Sequence, residues 1–229
     1  MKLTASDSAT VTGHATSFEA MRHAMVSNQL RTNAVSDARI VAAMLHVPRE
    51  AFLPADVAAL AYRDTAVPLS PSREQNVPIA TGRLLNEAIL TPYDKVLLIG
   101  AAGGYTAAVL AGLVASVVAV ESDGVLAAAA RSALAGYANV SVVEAPLAQG
   151  SAEGAPYDVL IIDGAVDDVP ETLLAQLAVG GRVATGLADR GVTRLAVGRK
   201  SAGGFALRGF ADIDCVSLPG FARATSFTF

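Results

Sequence analysis

The sequence predicts an α/β protein: a mostly parallel sheet covered on both faces, closed by an antiparallel C-terminal pair and preceded by a helical cap. Three observations predict it. Between Thr81 and Gly186, short apolar strands alternate with helical segments at the spacing of βαβ units. The runs Val96 to Ile99 and Val159 to Ile162 are continuously apolar, as in parallel strands buried on both faces. Finally, Thr193 to Arg199 and Phe205 to Phe210 flank Ser201-Ala202-Gly203-Gly204 and read as a hairpin.

Each element has its own signal. Residues 1–17 form a polar Thr/Ser/Ala leader with no apolar h-region. Phe18, Met21, Met25 and Val26 recur at helical spacing, and a second helix starts at Ser36, with Ile40, Val41, Met44 and Leu45 on one face, and stops at Pro48. The five prolines between Pro48 and Pro78 predict an irregular connection with a short helical piece over Ala55 to Ala61. Helices follow at Gly82 to Leu90, Thr106 to Leu113, Gly124 to Leu134 and Pro170 to Leu177. Strands follow at Lys95 to Ile99, Ser116 to Val120, Val140 to Glu144, Val159 to Ile162 and Arg182 to Gly186. With the hairpin, the sheet has seven strands. At roughly 150 residues per domain, the 229 residues suit one domain over 18–229, with a cap at 18–80 and a core at 81–229.

Composition excludes several classes of function. Hydrophobic residues make up 52% and charged residues 17%, which argues against disorder, and a net charge of −4 gives no basic footprint for nucleic acid or anionic membrane. The most apolar stretch, Tyr105 to Val120, falls short of the roughly 20 residues that span a bilayer. The single Cys215 cannot form an intrachain disulfide and reads as a small buried residue, and the chain reads as cytoplasmic. His14, His23 and His46 have no Cys or acid at metal-ligand spacing, so no metal is expected. No nucleophile elbow is present, which rejects a hydrolase triad.

The chemistry concentrates at one turn. Val96-Leu97-Leu98-Ile99 runs into Gly100-Ala101-Ala102-Gly103-Gly104-Tyr105, and Glu121 follows at the tip of the next strand. Glycines at a strand-to-helix turn permit close backbone approach to a ligand, and an acid on the neighbouring tip can accept hydrogen bonds from both ribose hydroxyls. The turn lacks G-x-G-x-x-G and is followed by no Lys-Ser or Lys-Thr, so dinucleotides and nucleoside triphosphates lose ground to S-adenosylmethionine. Asp163, at the tip of the fourth strand, either faces this site or caps the next helix. Asp167 and Asp168 suit the start of that helix. Phe221, Phe227 and Phe229 read as packing within the monomer.

The order of segments resembles the protein-L-isoaspartate O-methyltransferase family. The resemblance rests on Met25 to Arg31, on Val47-Pro48-Arg49-Glu50-Ala51-Phe52-Leu53-Pro54, on Ala61-Tyr62 with Asp64 and Pro68, on Gly104-Tyr105, on Ala155 to Asp158 and on Val179 to Arg182. It implies a Rossmann-like methyltransferase fold, S-adenosylmethionine held by Gly100, Ala101, Ala102, Gly103, Gly104, Glu121 and Asp163, and isoaspartyl peptides as partners. It also places Asn76, with Val77 and Pro78, beside the carboxylate to be methylated. There the family has a Ser. Three further positions depart from it: Leu98 stands for an acid, Ala102 for a glycine, and Ala145-Pro146 for Gly-Asp. Lost hydrogen bonds of ~0.5–3 kcal/mol each would lower cofactor affinity by roughly ten- to a thousandfold. A carboxylate acceptor is already ionised at neutral pH, so the missing base is no obstacle. Two alternatives stay open: a non-catalytic binding or scaffold relative, and a methyltransferase with another acceptor.

Overall fold

In the computed structural model, residues 18–189 and 191–222 are described; the polar leader, His14, Phe227 and Phe229 lie outside them. A helix over 18–25 (α1) runs on as a π-turn Val26–Leu30 and a 3-10 turn Arg31–Asn33. Helix α2 (Ala38–His46) follows, its first turn capped by the Asp37 carboxylate accepting from Arg39 N. The stretch expected to be irregular holds 3-10 turns Arg49–Phe52 and Ala58–Leu60, the second inside the short helical piece expected over Ala55–Ala61. It also holds an unanticipated two-stranded antiparallel hairpin, β1 (Val67–Ser70) and β2 (Arg73–Gln75). Pro71 and Ser72 supply the turn, and so short a ladder carries little periodicity to read. Helix α3 (Pro78–Glu87) starts four residues earlier than its pattern implied, because Pro78 sits in the first turn, where its missing N–H costs nothing.

The main sheet contains β3 (Lys95–Ile99), β4 (Ser116–Glu121), β5 (Val140–Glu144), β6 (Tyr157–Val166), β7 (Leu177–Asp189), β8 (Val192–Ser201) and β9 (Gly204–Ala211), in the order β5-β4-β3-β6-β7-β8-β9. Strands β5 to β7 in that order are parallel; β8 and β9 are antiparallel. The seven-strand α/β expectation therefore holds. Helices α4 (Tyr105–Ala111), α5 (Gly124–Ala133) and α6 (Glu171–Leu174) connect the parallel strands. The last is four residues long, not the helix expected over Pro170 to Leu177, because β7 begins at Leu177. Asp168 accepts from Val169 N, just ahead of α6, whose N-cap is Pro170.

Side chains alternate across the sheet with the period of two that a strand imposes. Val96 and Leu98 of β3, with Val159 and Ile161 of β6, face the helical cap and pack with Ile40, Met44, Leu84 and Leu85. Leu97, Ile99, Leu160 and Ile162 face the other way and pack with Leu173 and Leu174. Successive connections run outward from β3 through β4 to β5, then return through β6 on its other flank. The chain thus reverses direction across the sheet between β3 and β6, and the carboxyl ends of those two strands form the crevice where open α/β sheets bind ligands. None of the described helices is long and apolar enough to cross a membrane.

Candidate active site

The glycine turn lies at that crevice. Gly100 N and Ala101 N both donate to Val120 O, which fastens the turn to β4. Left-handed φ values at Gly100 (82°), Ala102 (49°) and Gly104 (101°) fold it back into α4. Gly103 permits the closest approach: a Cβ there would sit 2.0 Å from Phe52 O, so the Arg49–Phe52 turn rests directly on it. Ala102 carries a side chain in a conformation that glycine adopts without strain. Leu98, where the resemblance implied an acid, is fully buried in the core. Pro146, where it implied an adenine contact, opens a 3-10 turn on the surface.

Glu121 stands at the end of β4 and is completely buried. Arg73, reaching in from β2, clasps it in a fork: Nε donates to Oε1 at 3.0 Å and Nη2 to Oε2 at 2.8 Å. Ala102 N, Ser122 N and Asp123 N donate to the same carboxylate at 2.7, 2.9 and 3.1 Å. Burial by itself raises the Glu121 pKa, but the Arg73 fork and the Asp123 and Ala102 N–H groups outweigh it and hold the carboxyl below its ordinary value. Arg73 lies between polar and turn-forming neighbours, and nothing local marks it as an interior residue. Its partner is 48 residues away.

A second buried carboxylate, Asp163, ends the apolar run of β6. It accepts from Asn76 Nδ2 (2.9 Å), Thr81 Oγ1 (3.0 Å) and Thr106 Oγ1 (2.5 Å), so it ties Asn76, α3 and α4 to β6 and does not cap the next helix. Asn76 is also almost fully buried. It donates to Cys215 Sγ at 3.2 Å, and its Oδ1 accepts from Val77 N and Val216 N. Cys215 is buried as expected, and burial, reinforced by the Asp163 charge, pushes its thiol up to about 12. Arg49, from the Val-Pro-Arg-Glu stretch, is buried with its guanidinium 4.8 Å from the centre of the Tyr105 ring and donates to the Asn76 carbonyl. Burial, opposed chiefly by the Arg49 charge, pushes the Tyr105 hydroxyl up to about 12.

The segment after β9 covers the carboxyl ends of β3 and β6. Ala165 N donates to Val216 O at 2.7 Å and Leu218 N to Ala165 O at 2.9 Å, stitching it along the end of β6. The Leu218 side chain comes within 3.1 Å of where a Gly100 Cβ would stand and 2.5 Å of the same position at Gly164. Phe221 is buried nearby, as expected. Beside this cover opens a cavity of about 670 Å³, lined by Asp64, Glu74, Val77, Asp214 and Cys215 among others. Val77 reaches it, while Asn76 and Pro78 are buried behind it. Among the described residues, no group of three His, Cys, Asp or Glu side chains stands close enough to hold a metal.

The turn and Glu121 have the donors and acceptors that suit an adenosyl ribose; in this arrangement Arg73 takes both Glu121 oxygens and Leu218 lies against Gly100.

A family model described as protein-L-isoaspartate(D-aspartate) O-methyltransferase matches residues 20–218. A protein-L-isoaspartate O-methyltransferase of Koribacter versatilis is 38% identical over 190 residues, 82% of this chain and 86% of that protein. A second, from Rhodopseudomonas palustris, is 37% identical over 214 residues, 92% of this chain and 87% of that one. A solved protein-L-isoaspartate O-methyltransferase superposes with a TM-score of 0.75 at 26% identity, covering 87% of this chain and 66% of its own. A beta-aspartate methyltransferase structure from Plasmodium falciparum, in complex with S-adenosyl-L-homocysteine, has the same fold. Its TM-score is 0.74 at 19% identity, over 86% of this chain and 97% of that one.

Proposed function

The chain belongs to the protein-L-isoaspartate(D-aspartate) O-methyltransferase family, and from that premise we propose that it methylates the carboxylate of isoaspartyl residues in damaged proteins, with S-adenosylmethionine as methyl donor. The observation that carries this reading is the family match, whose range, residues 20–218, takes in the glycine turn and both buried carboxylates. Residues named from the resemblance take these roles: Gly100 to Gly104 and Glu121 on the adenosyl side, with Asp163 beneath, and Asn76, Val77 and Pro78 on the acceptor side. Asn76 puts an amide where the family has a hydroxyl; both of its N–H groups already donate, to Asp163 and Cys215, so the amide must release one of them to meet the acceptor. Cytoplasmic isoaspartyl-containing proteins are the partners this reading implies.

The test is methyl-ester formation, followed by mass spectrometry, on a peptide containing L-isoaspartate and on its normal aspartyl isomer. Methylation of the first alone is expected. If S-adenosylhomocysteine binds but neither peptide is methylated, the acceptor is wrong. Asn76→Ser is expected to keep or raise the isoaspartyl rate, and a clean loss would count against Asn76 as the acceptor position.

One observation favours a second reading, a non-catalytic binding relative: Glu121 is fully engaged by Arg73 and backbone. Under it, saturating S-adenosylmethionine would leave the melting temperature unchanged.

A further inference from the structure

We propose that Arg73 is a latch on the adenosyl site: its guanidinium takes the Glu121 oxygens that a ribose diol would use, so the ligand binds only when Arg73 withdraws. This rests on the methyltransferase reading above. Four observations carry it.

Glu121 already receives five hydrogen bonds, two from Arg73 and three from backbone N–H groups. A carboxylate offers about four lone-pair sites, so no acceptor position is left for an incoming hydroxyl pair. The guanidinium and a vicinal diol are alternatives for the same place, since each presents two donors side by side to two carboxylate oxygens. Arg73 also presses on the turn itself. Its Nη2 lies 3.5 Å from the position a Gly100 Cβ would take, on the surface where a nucleoside needs close backbone approach.

The element that carries Arg73 can move without opening the sheet. Strands β1 and β2 pair with each other and not with the seven-stranded sheet, and their register is irregular between Pro68 and Ser70. Pro71, Ser72 and Glu74 around Arg73 are exposed. A two-stranded hairpin is marginal by itself. Once Arg73 has left, Glu121 keeps three backbone donors, so the buried carboxylate is not stranded. Arg73 Nη1 has no hydrogen-bond partner among the described residues, so beyond the fork Arg73 gives up its attraction to the Asp123 charge.

The experiment is calorimetric titration of the full chain with S-adenosylhomocysteine, comparing wild type, Arg73→Ala and Leu218→Ala. Amide hydrogen exchange over residues 67–75 gives a readout independent of affinity. The latch predicts that Arg73→Ala binds at least tenfold tighter than wild type, that Leu218→Ala gains less, and that saturating wild type with ligand speeds exchange in the hairpin. Arg73→Gln replaces the alanine variant if that does not fold, with the same ordering expected. Equal or weaker binding by the Arg73 variants would overturn the latch and leave the methyltransferase reading standing, and so would a larger gain from Leu218→Ala. No binding by any variant at millimolar ligand would overturn both.

Discussion

Two buried carboxylates stand toward the carboxyl ends of β4 and β6, the strands on either side of β3, and the chain satisfies them in different ways. Glu121, on β4, is clasped by one guanidinium and three backbone N–H groups. Asp163, on β6, is held by an amide and two hydroxyls, all neutral. A charged partner on a hairpin outside the main sheet can be exchanged for another donor pair, since Glu121 keeps its three backbone donors when the bridge opens. The neutral donors are Thr81 on α3, Thr106 on α4 and Asn76, two residues ahead of α3, and the packed helices hold them in place. The first arrangement suits a surface that opens; the second suits a floor that does not.

The largest effect should come from cutting the charged pair on its acceptor side. Glu121→Ala leaves the Arg73 guanidinium buried without its anion, and breaking a buried pair on one side costs about 3–5 kcal/mol. Urea unfolding measures this, and the same variant should no longer bind S-adenosylhomocysteine. A loss under about 1 kcal/mol would mean that Arg73 escapes to solvent at little cost, which would itself mark the bridge as readily opened.

The neutral cluster should respond in smaller steps. Thr106→Val keeps the shape of the side chain and removes one hydroxyl from Asp163, a hydrogen bond to a charged group worth about 1.5–3 kcal/mol. Asn76 and Thr81 still hold Oδ1 while Oδ2 loses its hydroxyl, but no buried cation is left without its anion, so this loss should fall below that of Glu121→Ala. The reverse order in urea unfolding would show that Asp163, not Glu121, is the more exacting charge.

Acid separates the two carboxylates further. The Glu121 pKa is depressed in the fold, so its contribution is complete above the ordinary glutamate value of 4.5 and fades as pH falls toward the folded value. Arg73→Gln removes the fork that depresses it. Stability should therefore fall less steeply below about pH 4.5 in that variant than in wild type. Parallel acid limbs in the two proteins would show that the backbone N–H groups, and not Arg73, set the Glu121 pKa.

What could be read from the sequence divides along the same line as the two carboxylates. Glu121 and the turn were visible because strand, glycines and acid are contiguous or evenly spaced, and buried strands such as Val96 to Ile99 announce themselves by composition. Asp163 reads as a strand tip because the apolar run stops at Ile162, although β6 continues through Gly164 and Ala165 to Val166. Their partners were not visible. Arg73 sits in Pro71-Ser72-Arg73-Glu74, a stretch that reads as solvated loop, and Thr81 and Thr106 lie on helices where a threonine is unremarkable. Long-range polar pairing leaves no periodic trace, and neither does a strap such as residues 215–218, whose role depends on where the chain returns after β9.

The smallest effect tests the turn that both regions share. Ala102 has φ of 49°, and a left-handed conformation costs an L-residue roughly 1–2 kcal/mol that glycine does not incur. Ala102→Gly relieves that strain but enlarges the freedom of the unfolded chain, which takes back about 0.4–1 kcal/mol. The net expectation is a gain of up to about 1 kcal/mol, read as a higher urea midpoint at unchanged slope. Ala102 N also donates to Glu121 at 2.7 Å, so the variant should leave the carboxylate's setting intact. A destabilised Ala102→Gly protein would instead mean that the Ala102 methyl, 4% exposed, contributes more by packing than its backbone costs. In that case the departure from glycine at this position would be a stabilising feature of the closed turn, not a strain tolerated within it.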